Sequence, residues 1–394
     1  MELSKRAKRI KPSATMKVAA LATTMKSKGI DVINFGVGEP DFNTPQHIKD
    51  AGKKAIDDNF TKYTKAAGVD ELRELIAAKL KRENNLDYTA NQIVVSPGAK
   101  ASLFYSMFAI LSKGDKVIVP SPYWVTYPAQ VELCDACPVI LDTSEANDFK
   151  ITPQQLSDKI KEEKGVKVLI LNSPSNPTGS LYSRDELFAI ADVCLKNSVA
   201  VISDEIYEKL IYGSEEFESI AKHSSQMKDN TLVINGVSKS FSMTGWRMGY
   251  TAGPQDIIAK ITSIQSQVSS NINSISQKAC IAALAIQTDD VEKMRVQFDK
   301  RRKFLVGQLS AIDGVSCSNP LGAFYAFPNV SSFVGGKIKD DVELCTYLLE
   351  NYHIAIVPGS AFGADGFVRF SYATSMENIQ KGLERFKKGL DSLR

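Results

Sequence analysis

Five short segments of this 394-residue chain carry side chains that could do chemistry. Ser173-Pro174-Ser175-Asn176-Pro177-Thr178-Gly179 offers an amide, and Asp204-Glu205-Ile206-Tyr207 a carboxylate and a phenol. Gly236-Val237-Ser238-Lys239-Ser240 offers an amine, and Thr244-Gly245-Trp246-Arg247 a guanidinium. Pro97-Gly98-Ala99-Lys100-Ala101-Ser102 reads as the start of a helix, a place that suits an anion. Lysine forms Schiff bases with carbonyl compounds, and its pKa falls readily on burial. A carboxylate can keep a pyridine nitrogen protonated, which makes the ring an electron sink. An amide and a phenol can hydrogen-bond a ring hydroxylate, and a helix N-terminus with an arginine suits a phosphate. The set fits a phosphorylated pyridine aldehyde. Each signal alone is common. The order Asn176, then Asp204-x-x-Tyr207, then Ser238-Lys239, then Arg247 is far more specific.

What could bring these segments together is the apolar run that precedes nearly every one. Predicted strands are Gln92–Ser96, Lys116–Pro120, Val139–Asp142, Lys167–Asn172, Ala200–Asp204, Thr231–Asn235 and Met248–Ala252, with helical stretches between most of them, Arg184–Asn197 the clearest. Continuous Val/Ile/Leu runs, unlike alternating ones, imply strands covered on both faces, hence a mostly parallel sheet flanked by helices. Ligands of such sheets sit outside the carboxyl ends of the strands, so the segments share one crevice. The tail reads differently. A long helical stretch, Asp289–Ala311, precedes short strand-like pieces, Ala323–Phe327, Ala355–Val357 and Val368–Ser371, and helices Asp340–Tyr352 and Glu377–Leu390. The expected fold is α/β: a large domain with a mostly parallel seven-stranded sheet and helices on both faces, plus a small α+β domain. The expected division is an N-terminal arm with part of the small domain over 1–45, the large domain over 46–286 and the small C-terminal domain over 287–394.

Composition bounds the function. A net charge of +3 is too small to argue for nucleic acid or a membrane surface. The opening basic run, Lys5 to Lys11, reads as a solvated amphipathic arm; no apolar region follows it to make a secretory signal. No uncharged apolar run approaches the ~20 residues that span a bilayer. Six scattered cysteines suggest a reducing, cytoplasmic setting. Cys134 and Cys137 form a C-x-x-C without a second pair or a nearby histidine, and read as partly buried structural thiols; with three histidines in the chain, no metal site is expected.

Over nearly its whole length the chain resembles the fold-type-I pyridoxal-phosphate aminotransferases, closest to the bacterial-type aspartate group. The resemblance is carried by Lys11-Pro12-Ser13-Ala14-Thr15, Gly36-Val37-Gly38-Glu39-Pro40-Asp41-Phe42, Tyr63, Ser96–Lys100, Pro122-Tyr123-Trp124, Asn176–Gly179, Asp204–Tyr207, Ser238–Lys239 with Arg247, and Val368-Arg369-Phe370-Ser371-Tyr372. It implies that Lys239 holds pyridoxal 5'-phosphate as a Schiff base and then moves the proton between substrate Cα and cofactor. Asp204 would pair with the ring nitrogen, Asn176 and Tyr207 would bind the ring oxygen, and Trp124 would stack on the ring. Gly98, Ala99, Lys100, Ser238 and Arg247 would surround the phosphate. Tyr63 would reach the phosphate of a neighbouring subunit, which implies a homodimer with shared sites. Arg369 would grip the substrate's α-carboxylate beside Gly38, Trp124 and Asn176. One departure is Gly236, where many members carry a hydroxyl residue that binds phosphate.

Substrate choice rests on fewer residues. Some animal-type members bind the distal carboxylate with an arginine from the neighbouring subunit, and Gln265 to Asn273, where one is expected, holds none. In the bacterial-type group Lys100, Ser13 and Thr15 match the residues that take over. This implies aspartate and 2-oxoglutarate exchanging to oxaloacetate and glutamate by a ping-pong route, with prephenate a further acceptor for some members. An aromatic, branched-chain or alanine aminotransferase, or a lyase or synthase of the same fold, stays open at this stage. A nucleotide-binding dehydrogenase would need a G-x-G-x-x-G after a strand; Gly36-Val37-Gly38 lacks the third glycine.

Overall fold

Alternate residues of each apolar run pack into different cores, which explains why the runs are continuous. The computed structural model describes residues 1–10 and 14–394, with side chains of all but 14–17 and 19. Its strands in chain order are β1 (Ile33–Asn34), β2 (Ile93–Ser96), β3 (Lys116–Ser121), β4 (Cys137–Asp142), β5 (Val166–Asn172), β6 (Ala200–Asp204), β7 (Thr231–Gly236), β8 (Gly249–Ala252), β9 (Tyr325–Ala326), β10 (Ile354–Ala355), β11 (Val357–Pro358) and β12 (Val368–Ser371). Val117, Val119, Val168, Ile170 and Ile202 join one core with Leu103, Val131 and Ile258, which come from helices Ala99–Ile110, Thr126–Leu133 and Gln255–Val268. Ile118, Leu169, Leu171 and Val201, pointing the other way, join Leu156, Leu187 and Ile190 from helices Pro153–Glu163 and Arg184–Lys196. A period of two with both faces buried demands apolar residues throughout. Both of these last helices open on a capping box: Thr152 with Gln155, and Ser183 with Glu186.

The large sheet has seven strands in the order β2-β8-β7-β6-β5-β3-β4. β4, β3, β5, β6 and β7 run parallel, as expected. β8 is antiparallel to both its neighbours. The segment between β7 and β8 holds no α-helix to cross over the sheet, so the chain turns straight back. This return builds the crevice. Gly249 pairs with both Ser96 and Gly236, so the carboxyl ends of β2 and β7 flank the start of β8. Gly98–Lys100, Ser238–Lys239 and Arg247 thereby meet. Asn172 pairs with Asp204 in the adjacent strands.

The C-terminal part packs helices Asp290–Ser310, Asp341–Tyr352 and Met376–Asp391 with two small sheets around Phe298, Phe324, Phe370 and Phe386. The single strand expected at Ala355–Val357 is two: β10 pairs with β1 in parallel, and β11 pairs with β12 antiparallel. The chain changes partner at Ile356. β1 went unread because two residues carry no periodicity.

The described part of the basic N-terminal run is exposed, as expected, and forms surface contacts. Ser4 caps a short helix, Lys5–Arg9, and Arg6 and Arg9 both pair with Asp135, Arg9 at 2.6 Å. One other expectation needs correction. Cys137 is exposed rather than partly buried, while Cys134 is buried and its thiol is pushed up to about 11 by desolvation. Among the described residues no helix is long and apolar enough to cross a membrane.

Candidate active site

The crevice is a cavity of about 350 Å³ at the strand ends. Lys239 lines it and donates from Nζ to the Gly38 carbonyl at 2.6 Å. Open only in part, it is drawn down to about 8 chiefly by burial; Glu39 opposes this, while Arg247 and Arg369 add to it. An amine with that pKa keeps a usable neutral fraction near pH 7, as a nucleophile or proton acceptor requires.

Asp204 closes β6 and is 3% exposed. Tyr127 Oη donates to its Oδ2 at 2.7 Å, and the Ile206 N–H donates to Oδ1 at 3.3 Å. Burial raises the carboxyl to about 6, against those hydrogen bonds and the field of Lys239. No cationic side chain pairs with it among the described residues. A buried carboxylate facing a cavity without a cation is poised to take one from a ligand.

Asn172 ties the next strand end to this group: its Nδ2 donates to the Asp204 carbonyl and its Oδ1 accepts from the Asn176 N–H, both at 2.9 Å. Asn176 Oδ1 accepts from Arg369 Nη1 at 2.9 Å, and Arg369 Nη2 donates to the Gly36 carbonyl at 2.8 Å. The Arg369 guanidinium lies 4.5 Å from the Tyr325 ring centroid and 4.9 Å from that of Phe362. Nη1 and Nη2 each carry a second N–H beyond these bonds, which leaves donor capacity for a carboxylate. The loop bearing Gly36 and Gly38 is anchored from outside, where Arg301 forks onto Asp41 at 2.7 and 2.9 Å and covers the Phe42 ring.

An anion corner completes the cavity. Gly98 has φ +85°, and a Cβ there would collide with the Arg247 guanidinium. Ala99, Lys100, Ser238 and Arg247 line the cavity beside it. Arg247 is held by the Thr244 carbonyl at 2.9 Å and the Pro97 carbonyl at 3.3 Å. Lys100 Nζ sits 4.9 Å over the Trp124 ring, its pKa lowered by burial and by Arg247. At Gly236 a Cβ would lie 2.8 Å from the Met248 carbonyl oxygen and 2.9 Å from Gly249 Cα, so the tight return of β8 leaves no room for a hydroxyl side chain.

Gly38, Lys100, Trp124, Asn176, Asp204, Tyr207, Ser238, Lys239, Arg247 and Arg369 thus line one cavity, as read from the sequence. Tyr63 does not join them within this chain; it is 90% exposed. Ser13 and the Thr15 side chain lie outside the described residues. Missed were Asn172, Tyr127 and Tyr325. Trp124-x-x-Tyr127 places two aromatics on one side of a helical turn, a signal that could have flagged Tyr127.

An amine, a cation-seeking carboxylate, an anion corner and a guanidinium with a free donor can together hold a phosphorylated, protonated ring and a carboxylate substrate. An aspartate aminotransferase of Bacillus subtilis (strain 168) is 46% identical, covering 98% of each chain. A protein of Aquifex aeolicus (strain VF5) named as a probable aspartate/prephenate aminotransferase is 44% identical, covering 99% of each. The solved aspartate aminotransferase of Thermus thermophilus with maleate is 39% identical, with a TM-score of 0.92 over 99% of this chain and 100% of that one. Residues 30–386 match the family described as aminotransferase class I and II, and the chain belongs to it.

Proposed function

We propose that the protein is a pyridoxal-phosphate-dependent aspartate aminotransferase, exchanging aspartate and 2-oxoglutarate for oxaloacetate and glutamate by a ping-pong route. The observation that carries the substrate is that, besides Lys239 and the Arg247 assigned to the phosphate, two cations, Arg369 and Lys100, line the cavity. Two cations suit the two carboxylates of aspartate, and the relatives' names and the maleate complex, itself of a dicarboxylate, support the reading.

The residues fit the cofactor: the glycine-only bend at Gly98 leaves a cradle beside Arg247, and no cationic side chain among the described residues pairs directly with Asp204. Asp204 would hold the ring nitrogen, Asn176 and Tyr207 the ring oxygen, and Trp124 the ring face. Gly98, Ala99, Lys100, Ser238 and Arg247 would hold the phosphate. When bound, the cofactor supplies an aldehyde to carry the amino group and a protonated ring to draw off electrons from Cα. Lys239 anchors it and then carries the proton taken from substrate Cα. Arg369 orients the substrate through its α-carboxylate, with Gly38 letting the loop backbone approach. Lys100, with Ser13 and Thr15, takes the distal carboxylate. Tyr63 serves the neighbouring site of a homodimer; its 90% exposure supports that role. The division 1–45, 46–286 and 287–394 and a cytoplasmic setting belong to the same reading.

Lys100→Ala tests the substrate. A charge-assisted hydrogen bond contributes ~1.5–3 kcal/mol, roughly ten- to over a hundredfold in binding. With saturating cofactor, kcat/KM for aspartate should fall by about that factor, while phenylalanine loses far less. Arg369→Ala should weaken both amino acids. Equal losses in Lys100→Ala would remove dicarboxylate recognition from that residue. The same assay with prephenate as acceptor examines the second activity for which the Aquifex relative is named.

The lowered pKa of Lys239 gives a separate test. Bonding to the cofactor's aldehyde would require the neutral amine, so combination of cofactor-free protein with pyridoxal phosphate should speed up about tenfold per pH unit and level off near pH 8. An unperturbed lysine would go on accelerating to about pH 10.4. Stopped-flow absorbance across pH 6–10 distinguishes the two profiles.

A further inference from the structure

We propose that Tyr325 is a positioning residue that couples the carboxylate clamp to the ring-oxygen site, acting through the hydroxyl of Tyr207. The inference rests on the cofactor reading above. Tyr325 is 1% exposed and Tyr207 4% exposed, and their hydroxyls are 2.9 Å apart, each the other's partner. Their rings meet edge to face at 5.8 Å. A phenol has one proton to donate. If Tyr207 gives its proton to a ligand oxygen in the cavity, the proton between the two hydroxyls must come from Tyr325. That donation polarises Tyr207 and makes it a stronger donor, since hydrogen bonds in a chain reinforce one another where the dielectric is low.

The same ring supports the opposite side of the site. The Arg369 guanidinium stacks 4.5 Å from the Tyr325 ring centroid. A Cβ on Gly38 would lie 2.7 Å from the Tyr325 hydroxyl oxygen, so the loop that takes hydrogen bonds from Arg369 and Lys239 rests on this group. Tyr325 therefore does two separable things: its hydroxyl orients Tyr207, and its ring seats Arg369.

Two substitutions separate them. Tyr325→Phe keeps the ring and removes the proton; Tyr325→Leu removes both. A donor to the ring oxygen draws charge from it and so eases loss of the proton from the nearby Schiff-base nitrogen. Weakening that donor raises the pH midpoint of the holoprotein's visible absorbance change. Tyr325→Phe should raise it by roughly 0.1–0.7 pH units, the cooperative share of a charge-assisted bond. Its KM for aspartate should change less than about twofold, while Tyr325→Leu should raise KM for aspartate and phenylalanine alike by about thirtyfold, the cation–π share of a desolvated pair. In a Tyr207→Phe background the added Tyr325→Phe should move the midpoint no further, because the coupling runs through Tyr207. An unchanged midpoint in Tyr325→Phe, or a shift that simply adds to that of Tyr207→Phe, would overturn the inference and leave the cofactor reading standing. Wild-type protein that takes up no pyridoxal phosphate and shows no visible band would overturn both.

Discussion

Lys239→Ala is expected to leave the protein folded and almost without turnover. Among the described residues the side chain makes one hydrogen bond, to the Gly38 carbonyl, and its ammonium is disfavoured by burial, so removing it costs the fold little. Thermal melting of the cofactor-free variant should match or exceed wild type. Activity should not survive, because the proposed reading places anchoring and proton transfer on the same nitrogen. A positioned general base alone is worth about 10²–10⁴-fold, and the loss of covalent anchoring adds to this. Borohydride reduction followed by peptide mass spectrometry should find a pyridoxyl label on Lys239 in wild type and none in the variant. Lys100 also lines the cavity but sits over Trp124 beside Arg247. A label moved to Lys100, with turnover near wild type, would show that the wrong amine has been assigned.

Asp204→Asn should be the next most damaging change. The amide has nearly the same shape: its oxygen can still accept from the Ile206 N–H and its NH2 can donate to the Tyr127 hydroxyl oxygen, so a purely structural Asp204 would tolerate it. What it cannot supply is a buried negative charge to hold a ring nitrogen protonated. Breaking a buried ion pair costs about 3–5 kcal/mol, which is roughly 10²–10⁴-fold when expressed in the rate. The loss should fall on proton removal from Cα. Comparing kcat for aspartate and α-deuterated aspartate checks this: the isotope effect should rise in the variant as that step becomes limiting. Unchanged kcat would assign Asp204 to the fold and require another acid for the ring. Asp204→Ala should lose at least as much activity, and it also strands the buried Tyr127 hydroxyl.

The seven strands of the large sheet were legible because burial on both faces forces unbroken apolar runs, and their predicted limits lie within two residues of those found. The residues at their carboxyl ends were legible for a related reason: a strand end in such a sheet opens onto the crevice, so each chemical side chain follows its run directly. Lys239, Asp204 and Asn176 could therefore be picked out by position, whereas Arg247 stands ahead of β8 and reaches the same edge because that strand runs antiparallel. The direction of β8 could not, since an apolar run reads the same either way and only the helix-free connection from β7 turns it back.

Composition and spacing by themselves determined the chemical inventory, the α/β class and the approximate place of each element, because these follow from local periodicity and from which side chains close each strand. Tertiary structure alone decided which groups act on one another. Tyr127 finds Asp204 from 77 residues away, Tyr325 finds Tyr207 from 118, and Arg369 finds Asn176 from 193. Hydrogen bonds of that separation leave no periodic trace, since each depends on the packing of several elements at once. The shift of Lys239 to about 8 and of Asp204 to about 6 likewise exists only after burial has removed water from groups that would titrate ordinarily in the open chain.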